Sequence, residues 1–187
     1  MKRIHLSFLL LPLITLLSCG DPDRMADENK SQDKLAEEIT ALEDLLKKQM
    51  DNPTLDTASA VTLIEKTELY ASKFEQDSLT PQFLFSAAAV ARGIGEYEEA
   101  VQLWAQVEEE HLGFEKQPEA IFFQAFTYDN DLQNMPKAIE KYEKFLIQYP
   151  KHPIAKDARM LLKVAQSGKS ANQVIKEFQE QDNQATE

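Results

Sequence analysis

Few side chains in this 187-residue chain are placed to do chemistry. Gly168-Lys169-Ser170 spells the end of a phosphate-binding loop. That loop needs another glycine five positions earlier, in a strand-to-helix turn, so that backbone N–H groups converge on phosphate oxygens. Lys163 stands there instead, inside a helical pattern. The triplet therefore reads as a helix-ending glycine followed by a new helix start. Beyond residues 1–18 the histidines are His111 and His152, and the one cysteine is Cys19. No spacing among them suits a transition metal. Glu108, Glu109 and Glu110 form a carboxylate run near a helix end. Calcium needs oxygens converging from several directions, which a straight helix does not supply, so the run reads as a solvated face. No nucleophile sits beside a base in a recognisable motif. The expectation is a non-enzyme with no catalytic residues, no metal and no cofactor.

Charge narrows the partners. The formal charge is −12, and residues 1–18 carry Lys2 and Arg3 but no carboxylate, so the remainder stands at −14. Such a chain lacks the basic footprint that nucleic acid requires, and anionic membrane surfaces repel it. Hydrophobic residues make up 43% of the chain, enough for a core, with only 5 Gly and 8 Pro. Strand-type alternation is scarce, which predicts an all-α protein of about one domain.

Residues 1–19 read MKRIHLSFLLLPLITLLSC. A basic start precedes an apolar run over residues 4–17, which Pro12 interrupts. The run is shorter than the ~20 residues of a spanning helix and has the layout of a secretory signal. Leu16-Leu17-Ser18-Cys19 resembles the bacterial lipobox. The resemblance implies a signal peptide over residues 1–18, a diacylglycerol on the Cys19 thiol, and an acyl chain such as palmitate on the new amino group. Two or three chains, at about 0.8 kcal/mol per buried methylene, form a lasting anchor. The alternative is an ordinary signal with an incidental cysteine, which has no partner for an intramolecular disulfide. Residues 20–32, GDPDRMADENKSQ, are nearly free of apolar side chains. With Cys19 they read as a flexible tether, residues 19–32, reaching at most about 45 Å. In enteric bacteria, Asp directly after the lipidated Cys retains lipoproteins in the inner membrane. Gly20 stands there here, with Asp21 one later, so the resemblance favours the outer membrane and leaves open the periplasmic face or the cell surface.

Leu35, Ile39, Leu42, Leu46 and Met50 make the apolar face of a first helix over residues 33–50. Its heptad-like spacing lasts about two heptads, so packing on the next helix is favoured over a coiled coil. Asn52-Pro53 breaks the chain. A second helix, residues 57–75, carries Ala60, Leu63, Ile64, Tyr70 and Phe74 on one face. The third opens at Pro81 with a narrow face of Leu84, Ala87, Ala88 and Ala91 and ends at Gly93-Ile94-Gly95. The fourth, residues 96–110, presents Tyr97, Ala100, Val101, Trp104 and Val107. The fifth opens at Pro118 and carries Ile121, Phe122, Ala125 and Tyr128. The sixth, KAIEKYEKFLIQYP, sets Ala138, Tyr142, Phe145, Leu146 and Tyr149 on one stripe and stops at Pro150. The seventh opens at Pro153 and closes at Gly168. A last helix starts at Ser170 with Val174, Ile175 and Phe178, and residues 181–187 read as a disordered tail.

These elements repeat. Pro81, Pro118 and Pro153 are spaced 37 and 35 residues apart, and Ala100, Trp104 and Val107 recur as Ala138, Tyr142 and Phe145 with one shift of 38. A fixed period of this size predicts stacked helical hairpins sharing a core. Gly95-Glu96-Tyr97-Glu98-Glu99-Ala100 resembles the turn and second-helix start of a tetratricopeptide repeat, and Pro150 matches its terminal proline. The segment YEKFLIQYPKHPIAKDARMLL is similar to envelope tetratricopeptide lipoproteins of Gram-negative bacteria. The resemblance implies a right-handed α-solenoid of about four helical hairpins over residues 33–180. The turn at residues 131–135 is about one residue longer than the motif's.

In that family the first helix of each hairpin lines a concave groove. Carried over by register, the resemblance assigns Phe85, Ala89 and Arg92 in one unit and Phe122, Phe126 and Asp129 in the next, with Asn130 adjacent. Aromatic anchors flanked by polar groups suit an extended or helical peptide; the competing reading, strongest for Phe122, is core packing. The expected function is that of a non-catalytic, membrane-anchored adaptor. It would bind another envelope protein or peptide, with envelope or outer-membrane assembly as the setting. One alternative is a structural lipoprotein that self-associates as a homo-oligomer through residues 33–50, using Leu35, Ile39, Leu42 and Leu46. The other, least favoured, is a small-ligand binder or enzyme using the groove.

Overall fold

The structure is a computed structural model that describes residues 22–49 and 56–168. The signal segment, Cys19, the Asn52-Pro53 break, the helix expected from Ser170 and the tail at 181–187 lie outside the described residues. Among those described there are seven α-helices and no strand: α1 (Pro22–Gln49), α2 (Thr57–Lys73), α3 (Thr80–Ile94), α4 (Tyr97–Glu110), α5 (Gln117–Asn130), α6 (Met135–Gln148) and α7 (Ala155–Ser167). Each packs chiefly against the next in the chain.

Local chemistry sets most of the boundaries. The Asp56 carboxylate accepts from the N–H groups of Ala58 and Ser59 and caps α2. Asn134 does the same for α6 through Lys137 N–H at 3.3 Å. Gly95, at φ 91°, takes the left-handed conformation that ends α3 and turns the chain back into α4. The longer turn between α5 and α6 absorbs its extra length by putting Gln133 at φ 51°, a conformation costly for a side chain with a Cβ.

Several boundaries differ from expectation, and two are informative. α1 starts at Pro22, so residues 22–32 are helical where an irregular tether was expected. Once a docked helix exists, adding a residue forms one hydrogen bond per residue fixed and needs no apolar face. Pro22 also suits a first turn. The second difference is Pro153, which lies in the turn ahead of α7 instead of within its first turn.

A spacing of 37 residues recurs in the burial pattern. α3, α5 and α7 start at Thr80, Gln117 and Ala155, 37 and 38 residues apart. Buried Thr80, Phe83, Leu84, Ala87 and Ala88 in α3 recur at the shift of 37 as buried Gln117, Ala120, Ile121, Gln124 and Ala125 in α5. Small residues at Ala87, Ala88, Ala91 and Ala100, all fully buried, join α3 and α4. One core cluster joins Leu46 of α1 to α2, α3, α4 and Ala120 of α5; a second joins α5, α6 and α7. Ile39 packs with Tyr70 and Phe83, and Leu35 and Leu42 lean on the same clusters, so the apolar face of α1 is engaged within the chain. Phe123 packs against both main clusters, with its ring 5.4 Å from that of Trp104 and 5.8 Å from that of Phe122.

The carboxylate run on α4 is not uniformly solvated. Glu109 and Glu110 are exposed, but Glu108 is 4% exposed. Its carboxylate accepts from Lys141 Nζ and Gln124 Nε2, each at 2.7 Å, and pairs with Lys144. Gln117 donates to the Glu108 carbonyl at 2.7 Å. One side chain of α4 thus ties α5 and α6 to it. Burial alone pushes the Glu108 carboxyl up; hydrogen bonds and charge from the two lysines and Gln124 outweigh it and hold the group below the usual carboxylate range. Breaking such a pair leaves lysine charge poorly compensated, so Glu108→Ala should cost about 3 kcal/mol in urea unfolding at neutral pH. Because the folded-state pKa is depressed, this stabilisation is present above the unfolded value of about 4.3 and is lost as pH falls through the folded one. The stability gap between wild type and Glu108→Ala should therefore narrow on acidification. A constant gap from pH 7 to pH 3 would contradict the assignment.

Candidate functional site

The first helices of the two central hairpins, α3 and α5, meet through their side chains. Phe85 of α3 is half-buried, with its ring 6.0 Å from that of Phe123 and 6.3 Å from that of Phe114. The Lys116 ammonium sits 5.5 Å from the centre of the Phe85 ring. One turn later Ala89 is exposed. Another turn on, Arg92 Nε meets Asp131 Oδ2 at 2.6 Å, while its guanidinium lies 4.9 Å from the centre of the Phe126 ring. Phe126 in turn stacks on Phe122 at 6.2 Å. Each cation over an aromatic face is attracted by the ring quadrupole, by about 1 kcal/mol at a partly exposed site. The arrangement holds two positive groups on an aromatic strip in a strongly acidic protein.

Four expected residues share this face: Phe85, Ala89, Arg92 and Phe126. Asn130 is exposed at the end of α5, and its Nδ2 donates to its own helix at the Phe126 carbonyl. Two others point elsewhere. Phe122 is 9% exposed and packs on Tyr142 and Phe145 at 6.0 and 5.9 Å, so it belongs to the core between α5 and α6. Asp129 turns toward α6 and accepts from the Tyr142 hydroxyl at 3.3 Å. Burial pushes its carboxyl up, against the opposing effect of that hydrogen bond. Burial and the neighbouring Asp129 also push the Tyr142 hydroxyl up.

Sequence reasoning missed Lys116, Phe123 and Asp131. Lys116 and Asp131 lie just outside the helices, where periodicity carries no information. Phe123 follows Phe122 directly, and a paired aromatic is the signal that could have exposed it: of two adjacent helical positions 100° apart, both cannot face the same neighbour. At the α1 side, the Glu43 carboxyl is pushed up by burial, opposed by a hydrogen bond from Ser86.

Three other concavities among the described residues are acidic or mixed. One of about 520 Å3 runs along α1 beside Asp33, Glu37 and Asp44. Another of about 490 Å3 lies between α2 and α4, lined by Glu68, Glu75 and Glu110. A third of about 320 Å3 lies by Tyr128 and Lys137. His152 receives the Ile154 N–H at 3.4 Å and lies 3.6 Å from Glu119, at the start of α7. Gly168 caps α7 at φ 64°. Among the described residues no group of three or more His, Cys, Asp or Glu could hold a metal ion, and no helix is long and apolar enough to cross a membrane. Neither a protein-family model nor a curated protein matches this chain.

The Arg92–Phe126 contact can be measured. A double-mutant cycle between Arg92→Ala and Phe126→Ala, read by chemical denaturation, should give a coupling of about 1 kcal/mol. Strict additivity would remove the contact from the folded state in solution.

Proposed function

We propose that this chain is a non-catalytic, lipid-anchored adaptor of the Gram-negative envelope, built as a right-handed solenoid of tetratricopeptide-like hairpins. It binds another envelope protein or peptide through the face of α3 and α5. The solenoid reading is supported by the serial packing and by the burial pattern that recurs at 37 residues. The anchor reading rests on Leu16-Leu17-Ser18-Cys19, and the outer membrane on Gly20 where an inner-membrane signal would have Asp.

The observation that carries the binding reading is Arg92, held over Phe126 and fixed by Asp131, beside exposed Ala89. A guanidinium immobilised on an aromatic surface loses little freedom when a partner's carboxylate or carbonyl meets it. The self-association reading is weakened because Leu35, Ile39, Leu42 and Leu46 are engaged by α2 and α3.

Ala89→Glu tests the face without disturbing the core. An exposed helical position tolerates Glu within about 0.5 kcal/mol, while a carboxylate there opposes an acidic partner and crowds any partner. Crosslinking in the native envelope should lose its main adduct while the melting temperature stays unchanged. An identical set of adducts would count against this face. Independently, Cys19→Ser should move the protein from the membrane to the soluble fraction; retention in the membrane would sink the anchor.

A further inference from the structure

We propose that the N-terminal part of α1 is a stiff spacer that turns one defined edge of the protein toward a lipid bilayer: the edge carrying the α2–α3, α4–α5 and α6–α7 loops. The inference rests on the reading of Cys19 as the lipid-bearing residue.

α1 has 28 residues and α2 has 17, which at 1.5 Å per residue makes them about 42 and 26 Å long. They run antiparallel. At one end Gln49 Oε1 accepts from Asp56 N–H at 3.2 Å; midway Glu38 pairs with Lys66 at 2.7 Å. At the other end Gln32 donates to Asp77 at 2.8 Å and to the Tyr70 hydroxyl at 3.3 Å. Asp77 lies in the α2–α3 loop, so the pairing ends where α2 ends. Residues 22–31 continue the helix upstream for about 15 Å. Asp27, Asn29, Lys30 and Ser31 on this overhang are exposed.

Alternation of direction then fixes the edge. Each helix packs on the next through a short connection, so the start of every odd-numbered helix and the end of every even-numbered one lie together. The overhang leaves from that edge. Cys19 precedes Pro22 by three residues, which span at most about 11 Å. A lipid on Cys19 is therefore held within about 26 Å of the edge. The opposite edge, with the α3–α4 turn and Gln133, lies farther away by about 21 Å, the length of a 14-residue helix.

Charge gives the spacer a purpose. The chain beyond residue 18 carries −14. Repulsion from anionic headgroups decays over about 8 Å at physiological ionic strength. An overhang of about 15 Å places the acidic body beyond that distance. The α3/α5 face runs between the two edges, so it stays open sideways to a partner and is not pressed against lipid.

The test uses the full chain, expressed so that it is processed and lipidated, in zwitterionic vesicles doped with an acceptor-labelled lipid. Acylated Cys19 has no free thiol, so a cysteine introduced by Leu112→Cys or Gln133→Cys is the only labelling site. Leu112 is 81% exposed in the α4–α5 loop, and Gln133 is exposed on the opposite edge. Energy transfer should place the donor at 112 about 20 Å nearer the bilayer than the donor at 133. Adding Asn29→Pro, which breaks the overhang without touching the core, should shrink that difference. Equal transfer from 112 and 133, or a difference unaffected by Asn29→Pro, overturns the spacer while leaving the anchor intact. Protein that does not partition with vesicles overturns the anchor itself, a distinct result.

Discussion

A two-helix hairpin can cover only one side of itself. Its outer apolar residues stay wet until another hairpin lies against them, so stability here resides in the junctions between neighbours. The junction around α4 and α5 is where the two main core clusters meet. On one side Phe123 reaches into both core clusters, with Trp104 behind it. On the other, Glu108 draws in Lys141, Lys144 and Gln124. The first contact is non-directional and stabilises by removing apolar surface from water. The second is directional, and its one buried carboxylate accepts a single register of α6 beside α4. Together they join two halves that each have a core of their own.

Much of this was legible in the amino-acid order. The stripe of Ala138, Tyr142 and Phe145 is buried, as its spacing requires, and the alanines of α3 meet Ala100 as small side chains permit. Glycine and proline marked the ends because their effects are local: Gly95 and Gly168 both take left-handed conformations at helix ends. The failures share a cause. Glu108 sits in a run of three glutamates, and only the approach of α6, some thirty residues later, decides which of them is buried. Asp129 had the groove register yet turns toward α6, as does Phe122, for which core packing was the favoured reading; neighbours on both sides compete for the same helix. The start of α1 was missed because residues 20–32 carry almost no apolar side chains and so show no apolar periodicity.

The aromatic face of α3 and α5 inherits its geometry from the same junction. Phe123, which links the halves, also supports Phe85, and Asp131, at the end of α5, positions Arg92 of α3. Contacts that hold consecutive hairpins together thus set the spacing of the two cations on the aromatic strip. A change that loosens the junction would alter the face without touching it. This coupling follows from packing alone and requires no conformational switch.

Residue-resolved hydrogen exchange on wild type and Phe123→Ala tests the dependence on this junction most directly. Removing this partly buried ring takes away packing worth about 2 kcal/mol at a site shared by both clusters. The account predicts that α5, α6 and α7 lose protection together and come to open separately from α2, α3 and α4, which keep most of theirs. A uniform loss across all helices, or no loss beyond α5, would contradict it.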